Sequence, residues 1–248
     1  MIFIGFQRRQ MSASSVNFPS LSKLNSAVVT CHRCPRLRRY CRDVAKAKRR
    51  QFRDWTYWGK PLPGFGDPEA RLLILGLAPA AHGGNRTGRM FTGDGSAKFL
   101  MAALHKFKFA NQATSEKITD GLILTDAYMT AIARCAPPRN KPSLKEINSC
   151  KRYWTQELRL LHNVRVVLTL GRLAFDVYVR YLKDQGLDKD GLKFEHGAFY
   201  RLAEPFPALS VSYHPSRQNT QTGVLTMRML EDVFAVIRNF IGESSNVL

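Results

Sequence analysis

The stretch GLAPAAHGGNRTGRMFTGDG, residues 76–95, combines six glycines with one histidine and one acidic residue, Asp94. It directly follows the apolar run RLLIL. Glycines allow positive φ angles and close backbone approach to a bound group, and their N–H groups can bind phosphate or base oxygens. A carboxylate after such a loop could orient water or stabilise a cationic centre, or it could simply cap the next helix. The loop is a candidate catalytic site, with a tight strand-to-helix turn as the alternative.

Two further polar segments carry side chains that could act on the same ligand. HPSRQNTQTG, residues 214–223, begins with His214, which could donate a hydrogen bond to an oxygen atom as negative charge develops there. A lone histidine is usually structural, but this one lies in a run of polar residues. RCAPPRNKP, residues 134–142, contains Asn140, a weaker candidate for positioning water or phosphate. The chain thus offers three polar loops, each after an apolar run.

The charge of the chain predicts a polyanionic partner. It has 38 Lys and Arg against 19 Asp and Glu, a formal net charge of +19 and a pI of about 10.2. Residues 31–60, here called the basic segment, hold 11 Lys or Arg, two acids and five rings: Tyr40, Phe52, Trp55, Tyr57 and Trp58. Cations interleaved with rings suit a phosphate backbone with bases nearby, although a solvated basic face is the alternative. Nucleic acid is favoured over an anionic membrane.

The apolar residues of the chain predict neither membrane insertion nor export. No run of 18 or more apolar residues is present. The start MIFIGFQRRQMSASS has its apolar residues before its arginines, the reverse of a secretory signal. We therefore expect a cytoplasmic protein, with no membrane partner, and Met11 is an alternative start.

The cysteines have the spacing of a metal or cluster site. Cys31 and Cys34 form a C-x-x-C pair, and Cys135 and Cys150 are separated by 14 residues. Two plus two thiolates suit zinc or an iron–sulfur cluster, and ligand count alone does not separate the two. Buried thiols are the alternative for a cytosolic protein. Cys41 is the odd one out and is expected to be a free thiol.

Apolar runs alternate with helical patterns along the chain. Four runs are predicted to be buried strands: 71–77, 126–133, 164–171 and 208–214. Helices are predicted over 96–108, 143–162 and 172–182, and over a last segment with Leu225, Met229, Val233, Val236 and Phe240. Residues 45–70 are predicted to be irregular. This order predicts an α/β fold with a largely parallel sheet, in which the three polar loops meet at the carboxyl ends of the strands.

Taken together, these motifs resemble those of the family 5 uracil-DNA glycosylases, which carry an iron–sulfur cluster. GLAPAAHGGNRTGRMFTGD resembles the first motif of that family, RCAPPRNKP the middle segment and HPSRQNTQTG the last, in the right order over roughly residues 28–242. The resemblance implies a single domain over 1–248, an α/β/α sandwich around a four-stranded parallel sheet. Residues 1–27 would be a flexible tail, and the basic segment would pack on the domain.

The resemblance also implies an activity and the residues that perform it. The protein would flip a deaminated or damaged base out of DNA and hydrolyse its N-glycosidic bond, leaving an abasic site, as a monofunctional enzyme. Asp94 and His214 would be catalytic. A [4Fe-4S] cluster would be bound by four cysteines: Cys31, Cys34, Cys135 and Cys150. Base or DNA contacts would come from Gly76, Ala78, Phe91, Asn140, Arg217, Gln218 and Asn219, the last three filling the gap in the duplex.

One departure from the related family 4 pattern bears on specificity. Family 4 enzymes have an acid early in the first motif and an asparagine near the end of the second strand, where this chain has Leu77 and Ala131. The uracil-specific amide contact is therefore expected to be absent. A broader set of substrates is implied, namely uracil, hypoxanthine, hydroxymethyluracil and ethenocytosine.

Two other functions fit part of the sequence. A non-enzymatic nucleic-acid-binding protein with a four-cysteine zinc site would explain the charge and the cysteines, but not the glycine loop with Asp94. A hydrolase with a phosphate-binding glycine loop is less favoured, because the loop has neither a P-loop nor a clean G-x-G-x-x-G pattern. The enzyme is expected to be a monomer.

Overall fold

The computed structural model describes residues 17–188 and 190–243, and a six-stranded sheet lies at its centre. The strands are β1 (Phe65–Gly66), β2 (Leu72–Gly76), β3 (Ala127–Ala131), β4 (Val166–Leu170), β5 (Phe199–Tyr200) and β6 (Ala208–Ser212). Their order across the sheet is β1-β3-β2-β4-β6-β5. The four central strands are parallel, and the two-residue strands β1 and β5 pair antiparallel at the edges.

Helices cover both faces of this sheet. They are α1 (Leu21–Val29), α2 (Pro35–Ala47), α3 (Gly84–Thr87), α4 (Gly95–Lys106), α5 (Leu144–Leu160), α6 (Arg172–Asp184), α7 (Arg217–Gln221) and α8 (Met227–Glu243). Because successive side chains of a strand point to opposite faces, Leu72 and Ile74 pack with α4 and α8, whereas Leu73 and Leu75 pack with α5 and α6. The predicted α/β/α sandwich is confirmed.

The predicted strands and helices agree with the structure to within a few residues at their ends. Helix α4 begins after Asp94, and α5 begins after Ser143 in a capping box with Glu146, as their sequences indicate. The structure adds the edge strands β1 and β5 to the four parallel strands that were predicted. Among the described residues, no helix has both the length and the apolar character needed to cross a bilayer.

The N-terminal region corrects the predicted tail. Residues 1–16, including the alternative start at Met11, lie outside the described residues. Helix α1 begins at Leu21 within the segment expected to be flexible, and its Leu24 and Val28 are fully buried beside Tyr153 of α5. A nine-residue amphipathic helix is too short for its apolar period to stand out in the sequence.

The first half of the basic segment is held to the domain by two arginines. Arg36 at the start of α2 donates to both carboxylate oxygens of Glu146 on α5, at 2.8 and 2.6 Å. Arg38 is buried and donates to the carbonyl of Gly59 at 3.0 Å. The predicted irregular zone therefore begins only after α2 ends at Ala47, although a 3₁₀ turn occupies Arg50–Phe52.

Candidate active site

The glycine loop leaves β2 at Gly76 and enters α4 at Gly95, with α3 in its middle. The ring of Phe91 lies directly over Gly76, since a Cβ at position 76 would stand only 2.8 Å from the ring carbon Cζ. Phe91 itself has a φ of 46°, an uncommon conformation for an aromatic residue. Such strained residues cluster at functional sites because the surrounding structure over-determines them. Gly76 and Phe91 thus form one wall of the site.

Asp94 both caps a helix and faces the loop. Its Oδ1 accepts a hydrogen bond from the amide of Ala97 at 2.8 Å, the ordinary geometry of an N-cap. Its other oxygen lies against Gly83, where an added Cβ would overlap the carboxylate. Burial raises the pKa of the Asp94 carboxyl, and the capping amides and the nearby Arg86 guanidinium partly oppose that shift. One oxygen caps the helix, and the other faces the glycine loop.

His214 reaches the same site from the end of β6. Gly171, at a φ of 90° after β4, leaves room for it, because a Cβ there would lie 3.0 Å from the Cβ of His214. The rings of His214 and Phe91 are 6.5 Å apart and inclined by 32°. Burial lowers the pKa of His214 to about 4, so the imidazole is neutral near pH 7. A neutral ring can donate one hydrogen bond while carrying no charge.

The loop after His214 forms α7 and faces solvent. Ser216 caps α7 by accepting from the amide of Asn219 at 3.2 Å. The Asn219 side chain donates to the carbonyl of His214 at 2.9 Å, so it holds the loop to the site. Arg217 and Gln218 are exposed, and the Cβ of Arg217 lies 3.9 Å from the place of a Cβ on Gly95. The exposed pair therefore stands beside the Asp94 end of the glycine loop.

The third polar loop contributes an exposed turn. Asn140 ends the 3₁₀ turn Pro138–Asn140, and both it and Arg139 are exposed, with φ angles of 57° and 55°. Ala78 is only partly buried at the start of the glycine loop. Ala131, at the end of β3, is buried in an apolar cluster against which Phe91 packs. The position that carries an asparagine in family 4 is thus part of an apolar wall.

The aromatic rings of the basic segment have partners within the protein. The Arg86 guanidinium lies 3.9 Å from the ring centre of Phe52 and 4.0 Å from that of Trp55. The hydroxyl of Tyr57 lies 3.0 Å from Nδ1 of His82, whose pKa is lowered, mainly by burial. These rings pack against side chains of the glycine loop instead of offering free surfaces on which bases could stack. The signals for these contacts in the sequence are His82 and Arg86 of the glycine loop itself.

The four cysteines of the predicted cluster are brought together by three parts of the chain. Cys31 and Cys34 flank the start of α2, Cys135 follows β3, and Cys150 lies on α5. Burial raises the pKa of the Cys34 thiol, and the neighbouring Cys135 and Cys31 raise it further. Burial likewise raises the pKa of Cys150 to about 12, with Cys135 and Cys34 contributing in the same direction. These thiols are close enough to interact electrostatically.

Two contacts modify the cysteine arrangement. The Cys150 sulfur accepts a hydrogen bond from the main-chain amide of Arg134 at 3.3 Å. Cys41, predicted to be a lone free thiol, is fully buried and lies beside Cys135. This contact is the largest cause of the raised pKa of the Cys135 thiol. All five thiols are free, and no three His, Cys, Asp or Glu within residues 17–188 and 190–243 form a group ready to hold a single metal ion.

The known proteins to which this chain is compared below are uracil-DNA glycosylases. The family model of the uracil DNA glycosylase superfamily matches residues 63–238. A type-5 uracil-DNA glycosylase of Thermus thermophilus is 45% identical over 218 residues, which cover 87% of this chain and 95% of that protein. A type-5 enzyme of Pyrobaculum aerophilum is 41% identical over 206 residues, covering 83% and 87%. A type-4 uracil-DNA glycosylase of the same organism is 25% identical over 199 residues, covering 79% and 83%.

The matched region contains the whole parallel sheet, the glycine loop and the loop of His214. At this identity and coverage the type-5 relatives share the fold of this chain. The chain belongs to the uracil DNA glycosylase superfamily.

Proposed function

We propose that this protein is a uracil-DNA glycosylase of type 5, which extrudes uracil from DNA and hydrolyses its N-glycosidic bond. The observation that carries the proposal is the pair of Phe91 and His214 rings, 6.5 Å apart at the carboxyl edge of the sheet, with Asp94 three residues after Phe91 in the same loop. A base inside a duplex is inaccessible, so such an enzyme needs a pocket for the flipped nucleotide. The Phe91 ring over Gly76 offers a flat apolar surface on which the base would stack.

The two catalytic residues would stabilise opposite charges. Breaking the bond between the sugar carbon and the base nitrogen leaves positive charge on the sugar and the bonding electrons on the base. Neutral His214 would donate a hydrogen bond to a base oxygen as negative charge grows there. The Asp94 carboxylate would face the cationic sugar and orient the water whose oxygen bonds to the sugar carbon. The proton of that water leaves to solvent, and the base departs as an anion or takes a proton.

The substrate range would extend beyond uracil. Leu77 is partly buried against the core, and Ala131 lies in the apolar cluster beside Phe91. Neither side chain can offer the amide or carboxylate contacts that discriminate uracil by hydrogen bonding. A pocket that recognises shape more than hydrogen-bond pattern rejects related bases only weakly. We therefore propose hypoxanthine, hydroxymethyluracil and ethenocytosine as further substrates.

DNA would be held by exposed polar loops and by charge. Arg217 and Gln218 stand beside the site and would occupy the gap left by the flipped nucleotide, while Asn140 would contact phosphate or water nearby. Asn219 would act through the loop, because its amide is bonded to the carbonyl of His214. The net charge of +19 would supply long-range attraction. We propose a monomer that acts in the cytoplasm on damaged DNA.

We further propose that Cys31, Cys34, Cys135 and Cys150 hold a [4Fe-4S] cluster. A single zinc ion needs its four sulfurs to converge at about 2.3 Å from one point. In a cluster each thiolate binds a different iron, so the sulfurs stand further apart; the choice of a cluster rests on the motif resemblance, and the mutual electrostatic effect of these thiols supports a shared site. The amide of Arg134 would stabilise charge on the Cys150 sulfur. The cluster would act structurally, joining α2 to β3 and α5.

The activity is tested with an oligonucleotide that carries one uracil. Purified protein is incubated with the labelled strand, the product is treated with alkali, and cleavage at the abasic site is measured; the Asp94→Asn, His214→Ala double variant is the control. Cleavage that depends on uracil and is lost in the control supports the proposal. Binding without cleavage, by a protein that contains zinc and no iron, would instead identify the non-enzymatic nucleic-acid-binding protein.

A further inference from the structure

Arg86 is a buried cation in the middle of the glycine loop. It lies on α3 with only 3% of its surface exposed. The rings of Phe52 and Trp55 enclose its guanidinium, at 3.9 and 4.0 Å from their centres. A guanidinium between two aromatic faces is held by cation–π attraction, which strengthens when water is excluded. Both rings belong to the basic segment, which thus holds the Arg86 guanidinium in place within the glycine loop.

The hydrogen bonds of Arg86 join the two ends of the loop. Its Nε donates to the carbonyl of His82 at 2.8 Å, and its Nη2 donates to the carbonyl of Gly93 at 2.7 Å. Gly93 has a φ of 74°, and an added Cβ there would overlap the guanidinium. Gly93 directly precedes Asp94, so the second bond fixes the peptide from which the carboxylate projects. The remaining nitrogen, Nη1, is buried without a hydrogen-bond partner among the described residues.

The charge of Arg86 also acts on Asp94. Burial raises the pKa of the Asp94 carboxyl, the amides of Ala97 and Ser96 lower it, and Arg86 is the charged side chain that lowers it further. The pKa of Arg86 itself is lowered by burial, and three ionisable acidic groups oppose that effect: Tyr57, Glu116 and Asp94. The cation therefore favours the ionised carboxylate in a place where burial disfavours it.

We propose that Arg86 is a positioning residue for Asp94, which fixes the peptide before the carboxylate and places a positive charge near it, and that Phe52 and Trp55 hold Arg86 in that place. The proposal rests on the proposed role of Asp94 in uracil release. Arg86 itself does not touch the reacting atoms. Through Phe52 and Trp55, the basic segment would thus help to position Asp94, in addition to any contact of that segment with DNA.

The chain offers a matched control in Arg89. This arginine is in the same loop, is 4% exposed, and donates to Thr92 and Ser115. Its ion pair is with Asp120 at 2.7 Å, not with Asp94. Substituting either arginine removes a buried charge and several hydrogen bonds. Only the substitution at Arg86 removes the charge that acts on Asp94.

The test measures the single-turnover rate of uracil release from about pH 4 to pH 8. The proteins are the wild type, Arg86→Met, Arg86→Gln, Arg86→Lys and Arg89→Met, each checked for folding by near-UV circular dichroism. In a plot of this rate against pH, the acidic limb is the range in which the rate falls as the Asp94 carboxyl is protonated. Removing the charge at Arg86 is expected to move the acidic limb to higher pH. On that limb the rate of Arg86→Met and Arg86→Gln, relative to each variant's own plateau, should lie below that of the wild type, because the carboxyl has lost an opposite charge. Arg86→Lys and Arg89→Met keep the wild-type limb.

Several outcomes would overturn the proposal. Arg86→Met could lower only the plateau and leave the acidic limb in place, or Arg89→Met could move the limb equally, and either result would give Arg86 a merely structural role. If Arg86→Met does not fold, Arg86→Gln, which keeps amide donors for the two carbonyls, decides the question. Asp94→Asn separates the two hypotheses: if it releases uracil at the wild-type rate, the role of Asp94 fails, and the role of Arg86 fails with it.

Discussion

Asp94→Asn separates the two tasks that the structure gives to one side chain. The Oδ1 atom of Asp94 caps α4 through the amide of Ala97. Asparagine is as good an N-cap as aspartate, because its amide oxygen accepts the same hydrogen bond. The substitution therefore removes the charge and keeps the cap. Asp94→Ala removes both and serves as the comparison.

The expected loss of rate follows from electrostatics. A carboxylate about 5 Å from the cationic sugar, in a site with an effective dielectric constant of about 20, contributes about 3 kcal/mol. That corresponds to roughly 200-fold in rate. Since departure of a stabilised base anion supplies part of the acceleration, we expect Asp94→Asn to slow single-turnover uracil release by about 10- to 1,000-fold.

The two variants should differ in thermal stability. Because burial raises the pKa of the Asp94 carboxyl, the folded state favours its protonated form, and this contribution is lost as the pH rises through the folded-state pKa. Asparagine is neutral throughout, so at neutral pH the Tm of Asp94→Asn should equal or exceed that of the wild type, with a gap that narrows in acid. Asp94→Ala removes the same charge and also the cap, so its Tm should lie below that of Asp94→Asn by about 1 kcal/mol of capping, or about 2–4 °C.

The measurements are rapid-quench kinetics with excess enzyme and thermal unfolding followed by circular dichroism. Wild-type release by Asp94→Asn, together with a lower Tm for Asp94→Ala, would reduce the carboxylate to a helix cap. A Tm of Asp94→Asn well below that of the wild type at neutral pH would contradict the inference that the charge is buried at a cost in stability.

Three further predictions concern the other parts of the site. His214→Ala should slow base release far more than it weakens binding of an uncleavable substrate analogue; because burial lowers the pKa of His214 to about 4, its titration should not affect the rate between about pH 6 and 8. Cys41→Ser should keep the iron content that Cys135→Ser loses, and equal loss from both would refute the ligand assignment. Affinity for undamaged DNA should fall steeply with salt, and a flat dependence between low and physiological salt would contradict phosphate contacts as its source.

The sheet and its principal helices could be predicted because their signals are local. Each central strand is a short apolar run buried on both faces, and α5 opens with a capping box. The edge strands β1 and β5 have two residues each and carry no period that a sequence could show. Helix α2 was hidden by its charge, since five of its 13 residues from Pro35 to Ala47 are arginine or lysine besides its buried apolar positions.

The candidate site was predictable where polar residues follow strands, and less so where partners come from afar. Asp94 precedes α4 and His214 follows β6, and the loops after parallel strands converge at one edge of the sheet. The contacts of Arg86 with Phe52 and Trp55 join residues more than 30 positions apart. Arginine is rarely buried, so nothing in the sequence marks one that is enclosed by rings. For the same reason the rings were interpreted as DNA-stacking surfaces.

The two short edge strands bear on how copies of this chain meet one another. An unpaired strand edge exposes a row of amide and carbonyl groups on which a strand of another molecule can add, and long flat edges lead to aggregation. Here the outer parallel strands β3 and β6 are each covered by only two antiparallel residues, in β1 and β5. A strand of another molecule could pair with only two residues, those of β1 or of β5, which are too few to hold it. The sheet therefore ends in a way that limits edge-to-edge growth, an advantage for a basic protein that becomes concentrated along a polyanion.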